Sequence, residues 1–196
     1  MLDLTSGETG ESSQEIFKTL MRASLHYVSR QFICALIVSA TIVLASLSYG
    51  ASRGNQVELA VAHQTLREVE TIAGESTWFS ILINNVSLTL VTFLPLMGAV
   101  WMIYVQFNTG WHLGAIAKVY NINYLVATSL VLTSIVGLIE YSAYTIALGE
   151  SLFLVYSATQ GEFQRRVIQH SWLSIIIVVS LLFLGGAVEA FLLGTL

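Results

Sequence analysis

Apolar residues come in long runs separated by short polar stretches, and the runs exceed what a soluble helix buries. The first covers 31–49, near the ~20 residues that cross a bilayer core. Residues 78–118 are almost continuously apolar, about twice the length of one span. Pro95 lies near the middle of that run, with Gly98 just after it. Proline lacks a backbone donor and disfavours helix continuation, so the pattern predicts two spans, 78–94 and 97–117, joined by a tight turn. The rival is one long span followed by a short re-entrant piece. A further run, 124–148, ends at Gly149-Glu150, and the last covers 172–193. Residues 151–158 are too short to cross and read as re-entrant or interfacial; 105–122 is left between crossing and re-entering. The predicted fold is an all-α, polytopic transmembrane helical bundle of about five spans with re-entrant segments between them.

The polar stretches divide the rest. Residues 1–12 lack periodicity and read as a tail. From Ser13 the positions Ile16, Phe17, Leu20, Met21 and Leu25 recur at helical spacing, with Lys18, Arg22 and Arg30 on other faces. This suits an amphipathic interfacial helix, or the cytosolic start of the first span. Residues 1–30 are therefore set apart from a membrane domain over 31–196. Residues 50–77 interleave Val57, Leu59, Leu66 and Val69 with Glu58, Arg67, Glu68 and Glu75, as a water-exposed helical excursion would. Five spans with a cytoplasmic N-terminus put Lys18, Arg22, Arg30, Arg165 and Arg166 inside, in keeping with the excess of cytoplasmic Lys and Arg.

Composition agrees. The chain is 55% hydrophobic and 10% charged, with a mean hydropathy of +0.75. Soluble domains carry about 25% charged residues. A multi-pass protein of the cell membrane is expected, with lipids around it and other membrane proteins or a second copy as partners. The net charge of −4 argues against a nucleic-acid partner. The single cysteine, Cys34, reads as a small buried hydrophobe. The acidic, polar start of the chain does not look like a cleavable signal peptide.

Chemistry is expected where polar groups enter the spans. Glu140 and Glu189 are intramembrane carboxyls, and such groups are functional-site hypotheses by default. Thr133, Gly137, Glu140 and Tyr144 share one helical face. Asn85, Thr89 and Thr92 form a second stripe, with Asn84 adjacent. Gly185 and Gly186 lie beside Glu189. Asn108, Gly110, His112 and Gly114 lie in the third span, where Gly110 to Gly114 is a GxxxG, a packing motif. The plain reading is that each carboxyl is protonated and bonded to a neighbouring helix. Against it stand a proton or ion path, or a surface that recognises a lipid or another membrane protein. Counting helical rise puts Glu140 roughly 24 Å from the outer start of its span and Glu189 roughly 27 Å from the inner start of its own. They should then lie near opposite faces, with Asn84 and Asn85 nearer Glu189, and Asn108 within reach of Glu140. His112, beside Trp111, reads as a packed or interfacial residue. No histidines stand at metal-ligand spacing, and no hydrolase constellation or phosphate loop is visible. No metal, cofactor or catalytic residue is expected.

Four segments occur in an order that resembles the stage II sporulation protein M family. They are Ile81 to Asn85, Phe107 to Gly114, Gly137 to Ala143 with Gly149, and Glu189 to Phe191. The resemblance runs from about Phe79 to the C-terminus. It implies a helical membrane protein of five or six spans without established catalytic activity. In spore formers the named member works with peptidoglycan-degrading partners. This chain departs from the family pattern at Ile135-Val136, where the family often has Pro-His, and at Thr109-Gly110, where it has Asn-Gly. The expected function is a non-catalytic scaffold or partner-binding subunit of a membrane complex. The alternatives are a small transporter or proton conductor using Glu140 and Glu189, and an accessory subunit of a larger membrane enzyme.

Overall fold

The computed structural model describes residues 30–192. Among them every regular element is helical: α1 (Arg30–Gly54), α2 (Leu59–Glu75), α3 (Trp78–Thr92), α4 (Met97–Val119), α5 (Tyr124–Thr133), α6 (Ile135–Thr159), α7 (Phe163–Arg166), a π-helical turn (Val167–Ser171) and α8 (Trp172–Leu192). Three helices are long and apolar enough to cross a membrane: Arg30–Gly54, Ile135–Thr159 and the unit Phe163–Leu192. The expected tail and interfacial helix, residues 1–29, lie outside the described residues.

Contacts fix the direction of each helix. Gly50 and Gly54 of α1 abut Phe107 and Trp111 of α4, so these two helices run parallel. Phe32 meets Phe153 at one end of α1, and Val43 clusters with Leu148 further along, so α6 runs antiparallel to α1. Ser174 meets Glu150 while Gly185 faces Glu140, so α8 runs antiparallel to α6. Leu82, Phe93, Ala143, Ala147, Val178 and Leu182 form the core among α3, α6 and α8.

The α1–α4 seam is built from small residues. A Cβ on Gly50 or Gly54 would collide with the carbonyl oxygen of Phe107 or Trp111. One on Gly110 or Gly114 would collide with that of Leu47 or Ala51. Each helix thus presents glycines four residues apart to the other's backbone, and the axes approach more closely than side chains permit. Gly110 and Gly114 were expected at a packing face. Their partners Gly50 and Gly54 lie beyond the expected end of the first span at residue 49, because α1 continues to Gly54. Beyond that end, Lys118 donates to the carbonyl of Val57 at 2.5 Å, and Ala62 and Thr65 of α2 are buried.

Four further expectations need correcting. The run 124–148 is not one helix. Ser134 adopts an extended conformation (φ −64°, ψ 150°), and its side chain accepts from the Gly137 amide, starting α6 afresh. Gly137 fits this break rather than a helix–helix face, since a Cβ there would strike the Val131 carbonyl. Residues 151–158 do not re-enter; they are the last third of α6. Cys34 is exposed, not buried.

The turn between α3 and α4 is tight and apolar. Leu94, Leu96 and Met97 are exposed. Leu96 has φ +64°, and the Met97 amide donates to the Pro95 carbonyl at 2.8 Å, a γ-turn. The Leu94 carbonyl accepts from the Gly98 amide and from Ser151 Oγ. Pro95 has no N–H to satisfy. Apart from Leu96, each non-proline amide from Phe93 to Gly98 donates within the turn.

Candidate functional site

Two polar clusters sit on α6, roughly 15 Å apart along its axis by helical rise. The apolar layer of Ala143, Ala147, Val178 and Leu182 separates them.

The first joins α3, α6 and α8. Asn85 Nδ2 donates to Glu140 Oε1 at 2.7 Å. Gly185 of α8 faces this carboxyl: a Cβ there would lie 3.6 Å from Glu140 Cγ. Gly186 turns instead to Leu82 of α3, so adjacent glycines wedge α8 between two helices. Glu189 lies one turn beyond Gly185 on the same face of α8, which puts it about 6 Å along the axis from the level of Glu140. Tyr144 meets Tyr141 edge to face at 5.7 Å. The depth estimate that put Glu140 and Glu189 near opposite faces is therefore wrong. It counted from Tyr124 as if 124–148 were one straight helix, and the break at Ser134 resets that count. Asn85 bonds Glu140, not Glu189.

Other candidates are not brought together. Asn84 is exposed and takes no part in Asn85's bond to Glu140. Asn108 donates to the Tyr104 carbonyl of its own helix at 3.1 Å and does not reach Glu140. His112 Nδ1 lies 2.7 Å from the Asn108 carbonyl oxygen, so that nitrogen carries the proton; its ring meets Trp111 at 5.2 Å. Among the described residues, no three His, Cys, Asp or Glu gather as a metal site would need.

The second cluster was missed. Glu150 is fully buried, and Arg166 is 5% exposed. Arg166 donates through Nε to Glu150 Oε1 at 2.9 Å and through Nη2 to Oε2 at 2.5 Å. Ser171 adds a bond to Oε1 at 2.7 Å and Ser174 one to Oε2 at 2.8 Å. The carboxylate therefore accepts four hydrogen bonds, two of them in the bidentate fork favoured by guanidinium. The guanidinium lies over Phe153 at 4.5 Å and Phe32 at 5.0 Å, within cation–π range. The π-helical turn over Val167–Ser171 links α7 to α8 and so carries both Arg166 and Ser171 to one carboxylate. This arrangement locks α1, α6 and α8 at one end and leaves no carboxylate oxygen free for a substrate.

The helices, the glycine seam and the Glu140 cluster fall inside one matched region. A sequence model for stage II sporulation protein M matches residues 29–192. The chain belongs to that family. No curated protein and no solved structure matches the chain. Within this stage II sporulation protein M family chain, the matched region includes Glu140, Glu150, Arg166 and Glu189.

The Asn85–Glu140 bond allows a direct measurement. Asn85→Ala, Glu140→Ala and the double variant should show a coupling of about 0.6–1.7 kcal/mol in micellar unfolding, the range of interhelical bonds in membranes. Strictly additive losses would mean that the bond does not form.

Proposed function

We propose that this chain is a non-catalytic subunit that scaffolds a membrane complex and binds another membrane protein through α3. One observation carries the reading. Asn84, with Ser80 and Ser87, forms an exposed polar stripe on α3, apart from the inward-bonded Asn85, Thr89 and Thr92, and no hydrogen bond joins the Asn84 amide to another described residue. An unbonded amide facing hydrocarbon is costly. Small and polar residues on a span are the usual means of helix–helix contact. The buried groups, by contrast, already bond to one another, which suits a rigid body that presents a surface. Family membership supports the same reading.

The membrane arrangement that fits this role has a cytoplasmic N-terminus. The three long helices cross fully, α6 doing so together with α5. Helices α3 and α4 form a hairpin that enters from outside. Helix α3 has 15 residues, about 22 Å of rise, short of a ~30 Å core. The hairpin tip Leu94-Pro95-Leu96-Met97 is apolar and bonds its own backbone, as a turn lying within the inner leaflet must. Arg30, Arg165 and Arg166 then share the inner end, in keeping with the charge bias of cytoplasmic segments.

Extraction in a mild detergent followed by native mass spectrometry tests the role. The wild-type chain should be recovered with a defined membrane partner, and Asn84→Leu should release it while leaving helicity intact. Recovery as a lone monomer under every mild condition would count against a scaffold.

A further inference from the structure

A groove of 390 Å³ lies between the first turns of α1 and the last turns of α6. Its walls are Cys34, Ala35 and Val38 on one side and Leu152, Phe153 and Tyr156 on the other, with Arg30 and Gln31 at its end. The hairpin explains why it is open. Leu94 meets Ser151, so α4 begins at about that level and cannot cover the last turns of α6. Leu152, in the groove wall, also packs on the cluster of Val43, Met102 and Leu148, so the groove starts where that packing ends.

We propose that this groove holds one acyl chain of an anionic phospholipid whose phosphate binds Arg30. The lining suits a chain: the walls are apolar, and they belong to two helices long enough to cross a membrane. The charge suits the headgroup. Arg30 is exposed and makes no hydrogen bond or ion pair with a described residue, unlike Arg166. Basic residues at the cytoplasmic end of an interhelical pocket are how membrane proteins select anionic lipids. Phe153, in the groove wall, also lies under the Arg166 guanidinium. A chain seated there would press on the residue that packs the buried ion pair.

The test is native mass spectrometry of the full chain. It is purified with an equimolar mixture of phosphatidylglycerol and phosphatidylcholine carrying identical acyl chains. The wild type should retain phosphatidylglycerol about fivefold over phosphatidylcholine, the scale of one basic residue at a membrane surface. Arg30→Gln should reduce that ratio to near one while some lipid stays bound. Val38→Trp should fill the groove and abolish retention of both; Cys34→Phe serves if that variant does not fold. Equal retention of the two lipids by the wild type overturns the proposal, as does a preference that survives Arg30→Gln. Absence of lipid from the wild type also overturns it, as a groove filled by residues 1–29 would give. So does a change in dimer content on Val38→Trp with lipid retention unaltered, as a second copy in the groove would give.

Discussion

Glu150→Ala is expected to lower the unfolding free energy by about 3–5 kcal/mol, among the largest losses available to a single substitution in this chain. The size follows from what is left behind. Arg166 is almost wholly enclosed, and without its partner a guanidinium stays among Phe32, Phe153 and two serine hydroxyls. Arg166→Ala should cost a similar amount, because it strands a carboxylate instead. The pair itself adds little net stability, since removing two charges from water offsets their attraction. Glu150→Leu combined with Arg166→Met should therefore recover most of the loss. Denaturant titration of the four proteins in micelles supplies the numbers. A double variant as weak as the worse single one would show that the pair contributes directly to stability.

Gly110→Val is expected to separate α1 from α4, at a cost at or above the ~1–3 kcal/mol typical of overpacking. The obstacle is the Leu47 carbonyl, and backbone in a helix cannot rotate aside as a side-chain end can. Gly50→Val meets the Phe107 carbonyl in the same way. Disulfide trapping between cysteines placed across the seam reports the loss of contact, and thermal melting reports its cost. Gly74→Val serves as the control, because nothing lies within 4 Å of its Cβ position. A wild-type melting point for Gly110→Val would mean that the helices are not in backbone contact.

These two features differ in how far they could be read from the chain. Half of the seam was legible: Gly110 and Gly114 stand four apart in an apolar run. Gly50 and Gly54 carry the same spacing, but Arg53 and Asn55 beside them look like a loop, and the helix outlasts the apolar run. Glu140 and Asn85 could be picked out as membrane polar groups, yet not as a pair. Their register depends on the break at Ser134, which a serine in an apolar stretch does not announce. Glu150 was taken for the end of a span because a charge after glycine commonly marks one. Joining 135–148 to the apolar 151–158 as one helix would have put Glu150 inside it. That reading would then have required a buried cation, and Arg166 follows at the next turn of the chain. The membrane-like character of the long helices was easier, since it follows from the long apolar runs alone.

The most direct test of the whole arrangement is a cysteine accessibility scan in intact cells, on a Cys34→Ser background, with a membrane-impermeant maleimide. Gln56→Cys and Asn121→Cys should label from outside. Glu162→Cys should label only after the cytoplasmic face is opened. Leu96→Cys, at the tip of the α3–α4 hairpin, should label from neither side until detergent is added. Labelling of Leu96→Cys from the cytoplasm would make α3 and α4 full crossings. Labelling of every position in intact cells would remove the membrane from the account altogether.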